Sequence, residues 1–157
     1  MSSEKKNTNT NLAQNKKAYH DYEILEKYEA GIVLVGSEVK SIKAGKVSLK
    51  ESYARFFDNE LFIVGMHVSE FAEANIFNHE TTRKRKLLLN KRELKKLQIK
   101  LHNTGLTIIP LRIYRKMHLI KMEIGLCKGK REFEKRETIK EREVKRELDR
   151  VVKSFNK

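Results

Sequence analysis

The sequence predicts a mainly β protein, a small closed or partly closed antiparallel barrel with helices inserted between its strands. Two observations carry this. About six short runs alternate apolar and polar residues, with turn-forming residues between them. The chain has 157 residues, 39% hydrophobic and 36% charged, which is enough for one core but leaves a segment that water or a partner must cover. Barrel closure is the usual way for a few short antiparallel strands to remove their edges.

Taken in order, residues 1–14, "MSSEKKNTNTNLAQ", are polar; they predict a disordered arm and lack the apolar core of a signal peptide. From Asp21 the alternation begins, and "YEILEKYEAGIVLVG" predicts two strands broken near Glu29-Ala30-Gly31. In "GSEVKSIKAGK", Ser37 is placed to cap a short helix and Gly45 to end it, while Val39 and Ile42 supply one buried stripe. "VSLKESYARFFDNELFIVGMHV" predicts a hairpin turning at Asp58-Asn59. "LLLNKRELKKLQIKLHNTG" predicts a helix opened by Asn90 and closed near Gly105. "LTIIPLRIYRKMHLIKMEIGLC" gives two further strands turning near Lys116-Met117, with Pro110 marking an edge or a bulge. The chain thus divides into the arm, a barrel over 15–128 and a tail over 129–157.

The net charge of +14 is unevenly placed. Residues 83–100 hold nine Lys or Arg against one acid, Glu93, whereas residues 128–157 hold twelve against seven. On the 90–101 helix, Leu94, Leu97 and Leu101 share one face, and Lys91, Arg92, Lys95, Lys96 and Lys100 lie roughly opposite. A merely solvated face interleaves both signs, so this acid-poor one predicts a polyanion whose phosphates it neutralises. The tail alternates its signs, and Val144, Leu148, Val151 and Phe155 draw one narrow apolar stripe. Such a helix is marginal alone. It is either a coiled-coil seam of barely two heptads or a segment that folds on a partner.

Other classes find no support. No run approaches the roughly eighteen apolar residues of a membrane span. Histidines at 20, 67, 79, 102 and 118 lack metal-ligand spacing, and no P-loop, nucleophile elbow or dinucleotide fingerprint is present. Cys127 is the lone cysteine, which rules out an internal disulfide; Lys128 beside it would lower its pKa, but no base accompanies it. The expectation is a cytoplasmic, nucleic-acid-facing protein, with no enzymatic activity, cofactor or metal.

Five stretches in the same order resemble one family: "NKKAYHDY" (15–22), "EAGIVLVGSEVKSIKAGK" (29–46), "RKLLLNKREL" (85–94), "GLTIIPLRIY" (105–114) and "GKREFEKR" (129–136). The sequence is similar to the bacterial small protein B family, the SsrA-binding partners of transfer-messenger RNA (tmRNA). The resemblance implies an oligonucleotide-binding (OB-fold-like) six-stranded antiparallel barrel. It implies a partner, the tRNA-like domain of tmRNA, bound 1:1 by a monomer and brought with elongation factor Tu to stalled bacterial ribosomes. The barrel would take the place of an anticodon arm. The tail, disordered when free, would become helical in the empty messenger channel beside the decoding centre of the small subunit, so that rescue and peptide tagging follow.

By the same resemblance, Asn15, Lys16, Lys17, His20 and Tyr22 would line the RNA- or ribosome-facing surface. Glu29 would join them, or would pair with a nearby Lys. From the 36–46 segment, Gly36, Glu38, Lys40, Ser41, Lys43 and Lys46 would contribute. Leu88 and Asn90 would shape a contact with unstacked bases, although periodicity does not choose which of Leu87–Leu89 faces outward. Arg83, Arg85, Lys86 and Lys91 would meet phosphates. In the tail, Gly129, Lys130, Arg131, Phe133, Glu134, Lys135, Arg136, Ile139, Lys140 and Arg142 would meet the ribosome. This chain departs from the family pattern at Lys43 (commonly Arg), Glu80-Thr81 (Asp-Pro), Phe133-Glu134 (His-Asp) and Val144 (an aromatic).

Overall fold

The computed structural model describes residues 10–72, 78–102, 105–130 and 132–155, with the backbone alone for 132–138 and 154–155. Strand β1 (Thr10–Gln14) and helix α1 (Lys16–Asp21) lead into the long strand β2 (Tyr22–Ile32). Helix α2 (Gly36–Lys43) follows, then β3 (Val47–Ser48), β4 (Tyr53–Phe57), β5 (Glu60–Val64), β6 (His67–Val68) and β7 (Arg85–Leu88). Helix α3 (Lys91–Lys100) precedes the hairpin β8 (Leu106–Lys116) and β9 (Leu119–Gly129), and α4 (Glu132–Phe155) ends the described chain.

Six strands close the expected barrel in the order β8-β4-β5-β7-β2-β9, with β9 pairing back onto β8 throughout antiparallel. Strand β8 is long enough to serve two partners on one edge: Ala54 of β4 meets Ile108, and β1 pairs further along from Arg112 to Arg115. Residues 10–14, expected within a disordered arm, are therefore a strand. A bulge between Asn11 and Ala13 lets the consecutive Leu12 and Ala13 both pack on the core. Residues 1–9 lie outside the described residues.

The predicted break at Glu29-Ala30-Gly31 is not there. All three pair with β9, so β2 is one strand. Gly31 is needed for packing, not for a turn: a Cβ there would lie 3.3 Å from the Cβ of Leu88 in β7. The hairpin at Asp58-Asn59 is as expected, and both residues take positive φ (48° and 66°), the twist that suits a two-residue turn. Pro110 sits at a bulge in the β8–β9 ladder, where no amide is required of it.

Strand alternation divides the apolar residues between two clusters. Ile108, Ile113, Met122, Ile124, Leu61, Ile63 and Leu87 fill the barrel, closed by Ile42 from α2 and Leu97 from α3. Ile109, Leu111 and Cys127 point the other way and are covered by Ala18 of α1. Burial pushes the Cys127 thiol up to about 11, so the lowered pKa expected beside Lys128 is not found. Cys127 is a packing residue. Ser37 likewise does not cap α2; it lies in the first turn, where its hydroxyl bonds His79 Nδ1 at 2.8 Å. The other His79 nitrogen donates to the Val68 carbonyl, which fixes the tautomer and makes this histidine structural.

Candidate nucleic-acid interface

Helix α3 begins as the sequence predicts. Asn90 Oδ1 accepts from the Glu93 amide at 2.9 Å and its Nδ2 donates to the Glu93 carboxylate at 3.1 Å, which satisfies the first turn. Leu97 is fully buried, and Leu94 and Leu101 pack on the core. Gln98 bonds Asn59 at the tip of the β4–β5 hairpin and Lys100 bonds Glu26, so the helix is fastened on both sides. The Lys100 bond foremost, with one donated by the Tyr28 hydroxyl, holds Glu26 below the usual carboxylate range. The outer face carries Lys91, Arg92, Lys95 and Lys96, all exposed and without an ion pair among the described residues. This face presents four cations to solvent.

Beside it, the three leucines are resolved by the pleat of β7. Leu87 is 1% exposed, Leu89 packs on the core and Leu88 is 52% exposed. Leu88 stands opposite Gly31, whose other neighbour across the sheet is Lys121. Gly31 and Lys121 were not among the expected site residues, because Gly31 reads from sequence as a strand break. Glu29 faces outward on the same strand, hydrogen-bonded by the Tyr114 hydroxyl and by Lys116 at 3.2 Å. The Tyr114 bond chiefly, with Lys116 adding to it, holds Glu29 below the usual carboxylate range against partial burial. Glu29 thus pairs with a lysine, as one of its two expected roles has it, and is exposed.

The 83–86 block requires correction. Arg85 and Glu38 are both 0% exposed, and neither reaches a phosphate from there. Arg85 Nε bonds the Glu38 carboxylate, and its two terminal nitrogens reach Met66 O and Arg83 O at 2.9 Å, Thr81 O at 3.2 Å and Glu80 O at 3.4 Å. The Glu80-Thr81 loop therefore wraps the guanidinium. Arg83 bonds the other Glu38 oxygen at 2.5 Å and the Val33 carbonyl at 3.2 Å. Burial works hardest against the Glu38 charge, yet hydrogen bonds from Arg83, the Val35 amide and Arg85 outweigh it, and the carboxyl stays below its ordinary range. This ionic knot fixes α2 to β7. Lys86 is half exposed and paired with Glu60 at 3.1 Å.

Asn15 is the second correction. It is 8% exposed; its Oδ1 accepts from the Ala18 amide, and its Nδ2 donates to Pro110 O at 2.9 Å and Leu49 O at 3.5 Å. It caps α1 and ties it to the bulge. Ser41 is also fully buried and faces no partner surface. Lys16, Gly36, Lys43 and Lys46 are exposed; Lys17 is exposed but paired with Glu51 at 2.6 Å. Exposed Lys40 lies 5.4 Å from the Phe71 ring centroid. His20 bonds Asp21 at 2.9 Å, and Tyr22 is half-buried against the α1 cluster.

The tail starts from a fixed point. The Lys130 amide donates to Asp21 O at 2.9 Å and its Nζ to Tyr19 O at 3.3 Å, so the chain leaves β9 anchored on α1, just past exposed Gly129. Beyond it, α4 is a 24-residue helix, roughly 36 Å long. Lys140 and Arg142 are exposed, and Ile139, Val144 and Leu148 are 41%, 56% and 60% exposed. Arg131 and the side chains of Phe133, Glu134, Lys135 and Arg136 lie outside the described residues.

Comparison with known proteins bears on this surface. The family model described as "SmpB protein" matches residues 12–154. A protein of Limosilactobacillus fermentum named SsrA-binding protein is 51% identical over 144 residues, 92% of each chain. One of the same name from Bacillus cereus is 49% identical over 152 residues, 97% of this chain and 98% of its own. A solved structure described as "tmRNA-SmpB: a journey to the center of the bacterial ribosome" is 46% identical, superposes with a TM-score of 0.65, and covers 76% of this chain and 85% of that one. With a match that runs from edge strand β1 to the last turns of α4, the chain belongs to the SmpB family.

Proposed function

We propose that this chain is a tmRNA-binding protein of trans-translation, an RNA escort and not an enzyme. Membership of a family whose relatives are named for binding SsrA supports the partner. The single structural observation that carries the reading is the outer face of α3, where Lys91, Arg92, Lys95 and Lys96 are exposed and form no ion pair among the described residues, while Leu88 and Glu29 stand close by on β7 and β2. Cations meet the phosphates of the tRNA-like domain. Exposed Leu88 meets an unstacked base, and the Glu29 carboxylate accepts from a base amino group or a 2′-hydroxyl.

In this reading a 1:1 complex, carried with elongation factor Tu, enters a stalled ribosome with the barrel standing where an anticodon arm would be. The tail, from Gly129 through Phe133-Glu134 to Arg142, probes the vacant messenger channel and is ordered there as a helix. Isolated helices with one narrow apolar stripe are marginal in water, so contact with the channel supplies the ordering. Titration of the full chain against the transcribed tRNA-like domain, and against an unrelated folded RNA of equal length, tests the partner. A marked preference for the tRNA-like domain is expected. Equal affinities would make the protein a general RNA-binding barrel instead.

A further inference from the structure

The outer face of the β4–β5–β7 sheet carries two phenylalanines that no core requires. Alternation along β4 and β5 sends Ala54, Leu61 and Ile63 inward, and leaves Phe57 and Phe62 on the outside, in neither apolar cluster. Their rings meet edge to face with centroids 5.7 Å apart. Cations stand over them: Lys84 Nζ is 4.0 Å from the Phe57 centroid and 4.6 Å from that of Phe62, and the Arg55 guanidinium is 5.2 Å from Phe57. Neither Lys84 nor Arg55 has an ion pair among the described residues; Glu60, opposite Phe57, is paired with Lys86.

We propose that this face is a stacking platform for unpaired RNA bases, extending the surface at Leu88; the inference rests on the RNA-binding reading above and names a further part of its ligand. Phe62 stands opposite Lys86 on β7, and Lys86 and Leu88 point outward two residues apart on the same strand. By strand geometry, Leu88 and Phe62 are diagonal neighbours roughly 8 Å apart, within the reach of one RNA loop. Aromatic faces interleaved with cations suit an unpaired strand, whose bases stack while its phosphates meet Arg55 and Lys84. A duplex hides its base faces and would use the cations alone.

The test uses the full chain and two probes, an adenosine octanucleotide and a blunt-ended RNA duplex that has no unpaired base. Phe57→Leu with Phe62→Leu keeps the bulk and removes the rings. It is expected to weaken octanucleotide binding by about tenfold or more, with a change below about twofold for the duplex. In the unaltered chain, the ring protons of Phe57 and Phe62 are expected to shift when the octanucleotide is added, a readout that does not depend on the variant folding. Wild-type affinity in the double variant, or unmoved ring protons while α3 amides shift, would overturn the platform. That outcome alongside retained preference for the tRNA-like domain removes only this inference. Shifted rings without such preference remove the proposed function instead.

Discussion

Helices α3 and α4 are both rich in charge and poor in apolar residues, yet they stand in opposite relations to the barrel. Over its ten residues α3 has five cations and one acid; α4 has eight against seven. The first cannot compensate itself, so it is held by buried Leu97 and by Gln98 and Lys100, and it turns its free cations outward. The second balances its charges along its own surface at helical spacing and leaves Val144 and Leu148 exposed. Single-sign charge on a docked helix makes a standing anion site. Balanced charge on a helix whose described side chains stand exposed keeps an apolar stripe in water until something covers it.

The largest effect expected from breaking this contrast is on RNA binding. Replacing Lys91, Arg92, Lys95 and Lys96 by Gln should flatten the dependence of log affinity on log salt by about three to four units, measured against the tRNA-like domain. Including Arg85 in such a set would confuse binding with folding, because its charge is internal. Glu38→Ala leaves that buried guanidinium unpaired and should cost about 3–5 kcal/mol of stability in urea denaturation. Because the folded Glu38 carboxyl lies below its unfolded value, its contribution is complete above the ordinary carboxylate pKa. It is lost as pH falls through the lower folded value. Glu38→Gln should flatten that acid limb.

Smaller effects sharpen the same distinction between holding the fold and meeting a partner. Asn15→Ala removes a cap and a buried bond to Pro110, and should cost about 1–2 kcal/mol in thermal unfolding while RNA affinity, corrected for the folded fraction, stays level. Leu88→Ala should do the reverse: stability within about 0.5 kcal/mol of the parent, as for other surface substitutions, with weakened binding to the tRNA-like domain. Sedimentation with and without residues 130–157 should show a monomer in both. A dimer that depends on the tail would assign the α4 stripe to a second copy.

Much of the fold was legible because alternation and turn chemistry are local. The Asp58-Asn59 hairpin, the Asn90 cap and the Pro110 bulge each follow from a few neighbouring residues. What local pattern misses is partner choice across the barrel. Gly31 reads as a breaker until Leu88 is seen lying across it, and Thr10–Gln14 reads as an arm until the free edge of β8 is found beside it. Charge location was half legible. The alternation of β7 sends Arg85 inward and Lys86 outward, but only the distant Glu38, brought in by α2, makes an inward arginine tolerable. Leu88 was named by resemblance and picked out from its neighbours by the pleat.

The division of labour between barrel and tail is tested most directly by complementation. A chain ending at Gly129 keeps the barrel, α1 and all of α3 and loses α4. Expressed in bacteria that lack their own copy, it should hold tmRNA as the full chain does and yield no peptide tagging on stalled ribosomes. Tagging at the level of the full chain would contradict a separate role for the tail, and loss of tmRNA binding would contradict the sufficiency of the barrel.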